Sequence, residues 1–127
     1  MKALAKLIHR TPASYLPTVF PAHYYGMPNG KIYLVFSRFY ELAFGQSGIE
    51  FVFAEHQDYS YNYETEEIIP SRNSTAKNKV FAEQVDHPNS RFYIFSTKRN
   101  LQSYGQAQTF LNQEAMKMYG YALQCTN

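Results

Sequence analysis

Residues 49–63 read I-E-F-V-F-A-E-H-Q-D-Y-S-Y-N-Y, and no other stretch of this chain restricts its fold as much. Apolar or aromatic side chains at Ile49, Phe51, Phe53, Tyr59, Tyr61 and Tyr63 alternate with small or polar ones. That is the period of two expected of a strand with one buried face. The polar quartet Glu55 to Asp58 interrupts the alternation. The pattern therefore predicts two strands joined by a tight turn, with Ile49, Phe51 and Phe53 in the core. Tyr59, Tyr61 and Tyr63 follow on the same face in register. His56 and Asp58 fall in the predicted turn and read as solvated polar residues, the alternative being one side of a continuous strand, where the carboxylate could orient the imidazole.

The flanking segments extend this picture. Asn29-Gly30 lies between two apolar runs and predicts a hairpin, because both residues tolerate positive φ. Ile32 to Phe36 is apolar on both faces, which suits a central strand covered on both sides. Ser37 reads as the cap of a short helix over 38–44 that Gly45 stops, with Phe39, Leu42 and Ala43 packed and Arg38 and Glu41 outward. Residues 2–9 place Ala3, Leu4, Leu7 and Ile8 on one helical face, with a short strand as the alternative. The proline-bearing segment 12–21 reads as an extended connection. Ile68-Ile69 predicts an edge strand ended by Pro70. A helix over about 75–86, an apolar strand over 91–97 and a helix over 102–124 complete the chain. Tyr104, Ala107, Leu111, Ala115 and Met118 mark the core stripe of that last helix. The expected fold is a single α+β domain over residues 1–127. Its sheet is antiparallel or mixed, of four to six strands, with a long C-terminal helix packed on one face.

Composition narrows the class. A chain of 127 residues, 45% hydrophobic and 17% charged, can bury one core and is not of the disordered kind. The 12 Tyr and 10 Phe without any Trp fit a thin sheet with a wet face, or a contact surface. The net charge of +2 is too small to imply nucleic acid by itself. Its distribution is uneven: six acidic residues lie from Glu50 to Glu67 and six basic ones from Arg72 to Arg99. The two groups either form opposed faces or neutralise each other in the fold. The single Cys125 rules out an intramolecular disulfide. No apolar run approaches the ~20 residues of a membrane-spanning helix, and none near the start resembles a leader. A cytoplasmic location without membrane contact is the expectation.

Motifs for chemistry are scarce. His9, His23, His56 and His87 show no metal-ligand spacing, and no second cysteine supports a zinc site. Phosphate-binding glycine loops and a nucleophile elbow are also missing from the sequence. No catalytic residue, cofactor or metal is assigned, and a small enzyme ranks third among the readings. First stands a small non-enzymatic interaction protein that binds, as an inhibitor candidate, a larger protein or nucleoprotein partner. Its expected surface is Tyr59, Tyr61, Tyr63, Glu64, Glu66 and Glu67, since tyrosine anchors interfaces at low entropic cost. The alternative is a nucleic-acid module using Arg72, Lys77, Lys79, Arg91, Lys98 and Arg99, with Phe92, Tyr93 and Phe95 for stacking. A homodimer built on the aromatic surface is a further option.

Overall fold

The computed structural model describes residues 4–10, 21–70 and 91–126, with side chains described as far as Met118. It contains β1 (Lys6–Arg10), β2 (His23–Gly26), β3 (Lys31–Glu41), β4 (Ser47–Asn62), β5 (Glu67–Pro70), β6 (Phe92–Lys98) and α1 (Tyr104–Thr126). The strands form one sheet in the order β1-β2-β3-β4-β5, and β6 pairs with β4. All pairings are antiparallel. The sheet curls into a half-barrel with α1 on one side. The expected helix over 75–86 and most of the expected connection 12–21 lie outside the described residues.

The 49–63 stretch is one strand, not two. β4 runs for 16 residues through the polar quartet without a turn. A bulge replaces the turn: Lys31 pairs with Ser60 but Tyr33 with Glu55, so two residues of β3 face five of β4. An odd surplus inverts the side-chain alternation beyond it. Phe51 and Phe53 thus face α1, whereas Tyr59 and Tyr61 face the concave side, opposite to the expected common face.

Two cores lie on the two faces of this sheet. The concave core gathers Tyr24, Ile32, Leu34, Phe36, Val52, Ala54, Tyr59 and Tyr61. The other packs Tyr25, Met27, Val35, Phe51 and Phe53 against Ala107, Leu111 and Ala115 of α1. The small alanines let the helix lie close to the sheet, and Phe110 meets Phe53 edge-on at 4.7 Å. Ser103 caps α1 by accepting the Gln106 N–H at 3.2 Å, while the Gln106 side chain accepts the Gln102 N–H at 2.7 Å.

Other local expectations divide. The hairpin at Asn29-Gly30 forms, but only Gly30 takes a positive φ, 85°. Asn29 instead uses its side-chain oxygen to accept the Lys31 N–H at 3.1 Å. Residues 6–10 form a strand, so over 6–9 the helical reading fails and its strand alternative holds. The expected helix over 38–44 is strand as far as Glu41, because each residue from Arg38 to Glu41 finds a partner between Glu50 and Ser47. Backbone pairing outweighs the weak local helix signal. The 91–97 strand exists as β6, yet Tyr93, Ile94 and Phe95 are exposed. Among the described residues no helix is long and apolar enough to cross a membrane.

Candidate functional site

The expected contact surface is largely structural. Tyr59 and Tyr61 are buried in the concave core, so neither presents its ring to a partner. Tyr63 clasps the start of β1: its hydroxyl donates to the Leu4 carbonyl at 2.6 Å, and its own carbonyl accepts from Lys6 at 2.9 Å. The Lys6 ammonium lies 4.0 Å above the Tyr63 ring and pairs with Glu66 at 3.3 Å. Glu64, Glu66 and Glu67 are exposed around this clasp.

Of the basic set, the three described members are engaged within the chain. Arg72, Lys77 and Lys79 lie outside the described residues. Arg91 binds Asp58 through its main-chain N–H at 2.9 Å and its side chain at 2.8 and 3.0 Å. Arg99 binds Glu50 at 3.2 Å. Lys98 holds its ammonium 4.6 Å over the Phe110 ring. The antiparallel register explains the pairing, since Phe51 faces Lys98 and His56 faces Phe92. The two arginines that flank β6 therefore come opposite two of the three acids of β4, Asp58 and Glu50, while the third, Glu55, pairs with Lys31. Part of the acidic stretch neutralises part of the basic one.

Two members of the polar quartet are buried, whereas Glu55 is half-buried and Gln57 exposed. His56 and Asp58 are 3% and 6% exposed. The Asp58 N–H donates to His56 Nδ1 at 3.1 Å, which places the imidazole proton on Nε2. Burial lowers the His56 pKa to about 4, against the opposing pull of Asp58. Burial alone would raise Asp58, but the hydrogen bonds and charge of Arg91 hold it below the ordinary carboxylate value. His9, Tyr24, His56 and Tyr59 form a chain of ring contacts at 5.9, 6.3 and 5.6 Å inside the concave core. Clefts of about 440 Å³ beside α1 and about 450 Å³ beside the β2–β3 turn contain no histidine. Among the described residues no three His, Cys, Asp or Glu side chains are grouped to hold a metal.

What stands out is a segment that the sequence reading took for a packed helix. Beyond Ser37, β3 and β4 continue as a two-stranded finger. Its turn is closed by the Leu42 N–H donating to the Gln46 carbonyl at 2.6 Å. Inside it Phe44 adopts φ 64° and ψ 34°, the left-handed region that bulky side chains avoid. Its side chain is 101% exposed, with Leu42 and Ile49 each at 43% and Phe39 at 57%.

The base of the finger is clamped. Glu50, 5% exposed, accepts from Arg38 Nε at 2.9 Å and from Arg99. Burial pushes the Glu50 pKa up, and the two arginines more than reverse this. The Arg99 guanidinium stacks 4.1 Å from the Tyr40 ring, which in turn lies against Gly48.

The sequence carried a signal for this finger. Val35, Ser37, Phe39 and Glu41 alternate as one strand face, but Phe39, Leu42 and Ala43 also match helical spacing. No protein family, characterised protein or solved structure matches this chain.

Proposed function

We propose that this chain is an interaction protein without chemistry of its own, and that it docks by inserting the β3–β4 finger into an apolar pocket of a folded protein. One observation carries the reading: Phe44 is fully exposed and held in the left-handed region at the tip of a braced hairpin. That conformation costs a non-glycine residue roughly 1–2 kcal/mol, and the exposed ring recovers nothing in the isolated chain. Burial of a phenylalanine ring in a partner contributes about 2–3 kcal/mol and offsets it.

Charge selects the class of partner. The finger itself holds Arg38 against Glu41 and Glu50, and Arg99 joins Glu50 from beyond β6, so the finger carries no surplus of positive charge. Apolar wedges that enter a bilayer or unstack bases are flanked by uncompensated Lys and Arg. A neutral surround fits a protein pocket. If the pocket belongs to a larger assembly whose action needs it open, docking inhibits that assembly.

A photo-cross-linking residue at position 44, with a control at the exposed Thr65, tests the reading in cells that make the protein. A discrete protein adduct from position 44 alone is expected. Equal or absent labelling at the two positions sinks it.

A further inference from the structure

Resting on that reading, we infer that the partner engaged by the finger is a second copy of this chain, in a two-fold dimer where each Phe44 enters the cleft beside α1 of the other. Three features of one surface make it self-complementary.

The first is charge in register. By strand alternation Glu41, Phe39 and Ser37 share the face of β3 that carries α1. Phe39 pairs with Ile49, and Ser37 with Phe51, which pairs with Lys98. Glu41 thus lies two residues above the Phe39–Ile49 row and Lys98 one row below it, in the Ser37 row. A two-fold axis through the Phe39–Ile49 row brings the Glu41 row of one copy onto the Lys98 row of the other. The lateral offset is two strands, about 10 Å, which the extended side chains of Glu and Lys together can bridge. Among the described residues neither Glu41 nor Lys98 has a partner of opposite charge. An isologous contact needs this arrangement, in which residue i meets j while j meets i.

The second is a hole that matches the knob. The cleft of about 440 Å³ is lined by Leu101 and Phe110 together with five polar residues, among them Lys98, Gln106 and Gln113, so it offers a ring both apolar surface and the stems of long polar side chains. It holds a phenylalanine ring with room for adjustment.

The third is reach. The Leu42–Gln46 closure stands three residues beyond the Phe39–Ile49 row, roughly 10 Å at strand rise, and Phe44 caps it as the top of the turn. On the other side of that row, Val35 and Phe53 pair four residues down, about 13 Å away, and Phe110 packs on Phe53. The same two-fold that pairs Glu41 with Lys98 therefore delivers Phe44 to the Phe110 cleft. Both copies make the contact at once, so the assembly closes as a dimer and does not propagate.

Sedimentation velocity of the full chain over a range of concentrations provides the test, with circular dichroism as the check on folding. The wild type is expected to dimerise. Phe44→Ser and Glu41→Lys should each weaken the dimer by about tenfold or more, as central anchors do. The double variant Glu41→Lys with Lys98→Glu should restore most of the loss from Glu41→Lys. A wild type that is monomeric throughout overturns the proposal, as does a charge-swapped pair no tighter than its single variants. If the wild type is monomeric while position 44 still cross-links a foreign protein, the second copy is wrong and finger docking stands. If position 44 cross-links nothing, both fall.

Discussion

Asp58 and Arg91, 33 residues apart in the chain, are joined by three hydrogen bonds of 2.8–3.0 Å, one of them from the Arg91 main chain. Eight residues earlier on β4, Glu50 makes the matching bond to Arg99, eight residues further along past the end of β6. The strand is thereby pinned at both ends by buried carboxylates. The two pins differ, because Glu50 has a second partner in Arg38, whereas among the described residues Asp58 forms an ion pair with Arg91 alone.

That difference ranks two substitutions. Arg91→Gln leaves a buried carboxylate with little beyond a main-chain N–H, and about 2 kcal/mol of stability should be lost. Arg99→Gln should cost about half as much or less, since Arg38 still satisfies Glu50. Urea midpoints of the two variants check the order. A larger loss for Arg99→Gln would contradict the pinning described above.

Acid sensitivity follows from His56. Its folded pKa, about 4, lies below the ordinary 6.5. Above pH 6.5 the imidazole is neutral in both folded and unfolded chains. As pH falls from there, the unfolded chain takes up a proton that the folded chain refuses, so stability declines down to about pH 4. The total is about 3 kcal/mol. Asp58 and Glu50, both below their ordinary values when folded, add stability above the carboxylate range that is lost as pH falls through their folded pKa values. The same denaturation at about pH 7.5 and pH 5 should show most of the His56 loss in the wild type and little in His56→Gln.

Gly26 is set by a neighbour, not by its own backbone. A Cβ at this position would stand 2.3 Å from the Tyr61 ring, which is itself buried against the concave core. Gly26→Ala should therefore destabilise by roughly 2–3 kcal/mol, the scale of overpacking. Adding Tyr61→Leu should recover part of the loss, because the clash disappears even though ring packing does. Additive losses in the double variant would argue against a direct clash.

Phe44 predicts a gain. Phe44→Gly relieves a left-handed φ of 64° and forfeits no burial. In dilute solution, below any association, the thermal midpoint should rise by an amount equivalent to about 0.5–1 kcal/mol. The dimer should be lost in the same variant at concentrations where the wild type associates. A variant both less stable and still associating would show that the tip is structural.

Much of the sheet was legible in the sequence. Alternation placed β4, the Asn29-Gly30 pair placed the β2–β3 turn, Pro70 marked the end of β5, and the apolar stripe of Ala107, Leu111 and Ala115 placed α1. These signals are local, because side-chain period and turn chemistry act over a few residues.

What the tertiary structure alone decided is what the polar quartet and the finger became. Glu55 to Asp58 looks like a turn because four polar side chains in a row are usually wet. Here they stay in the strand, since Lys31, Arg91 and the concave core supply partners from distant parts of the chain. The three-residue surplus at the bulge then sends Tyr59 and Tyr61 into the core, and local alternation cannot register such a shift. Residues 38–44 likewise satisfy helix and strand spacing about equally. Pairing with 47–50 settled the matter and left Phe44 outside the body, because backbone hydrogen bonds across a hairpin outweigh a weak propensity.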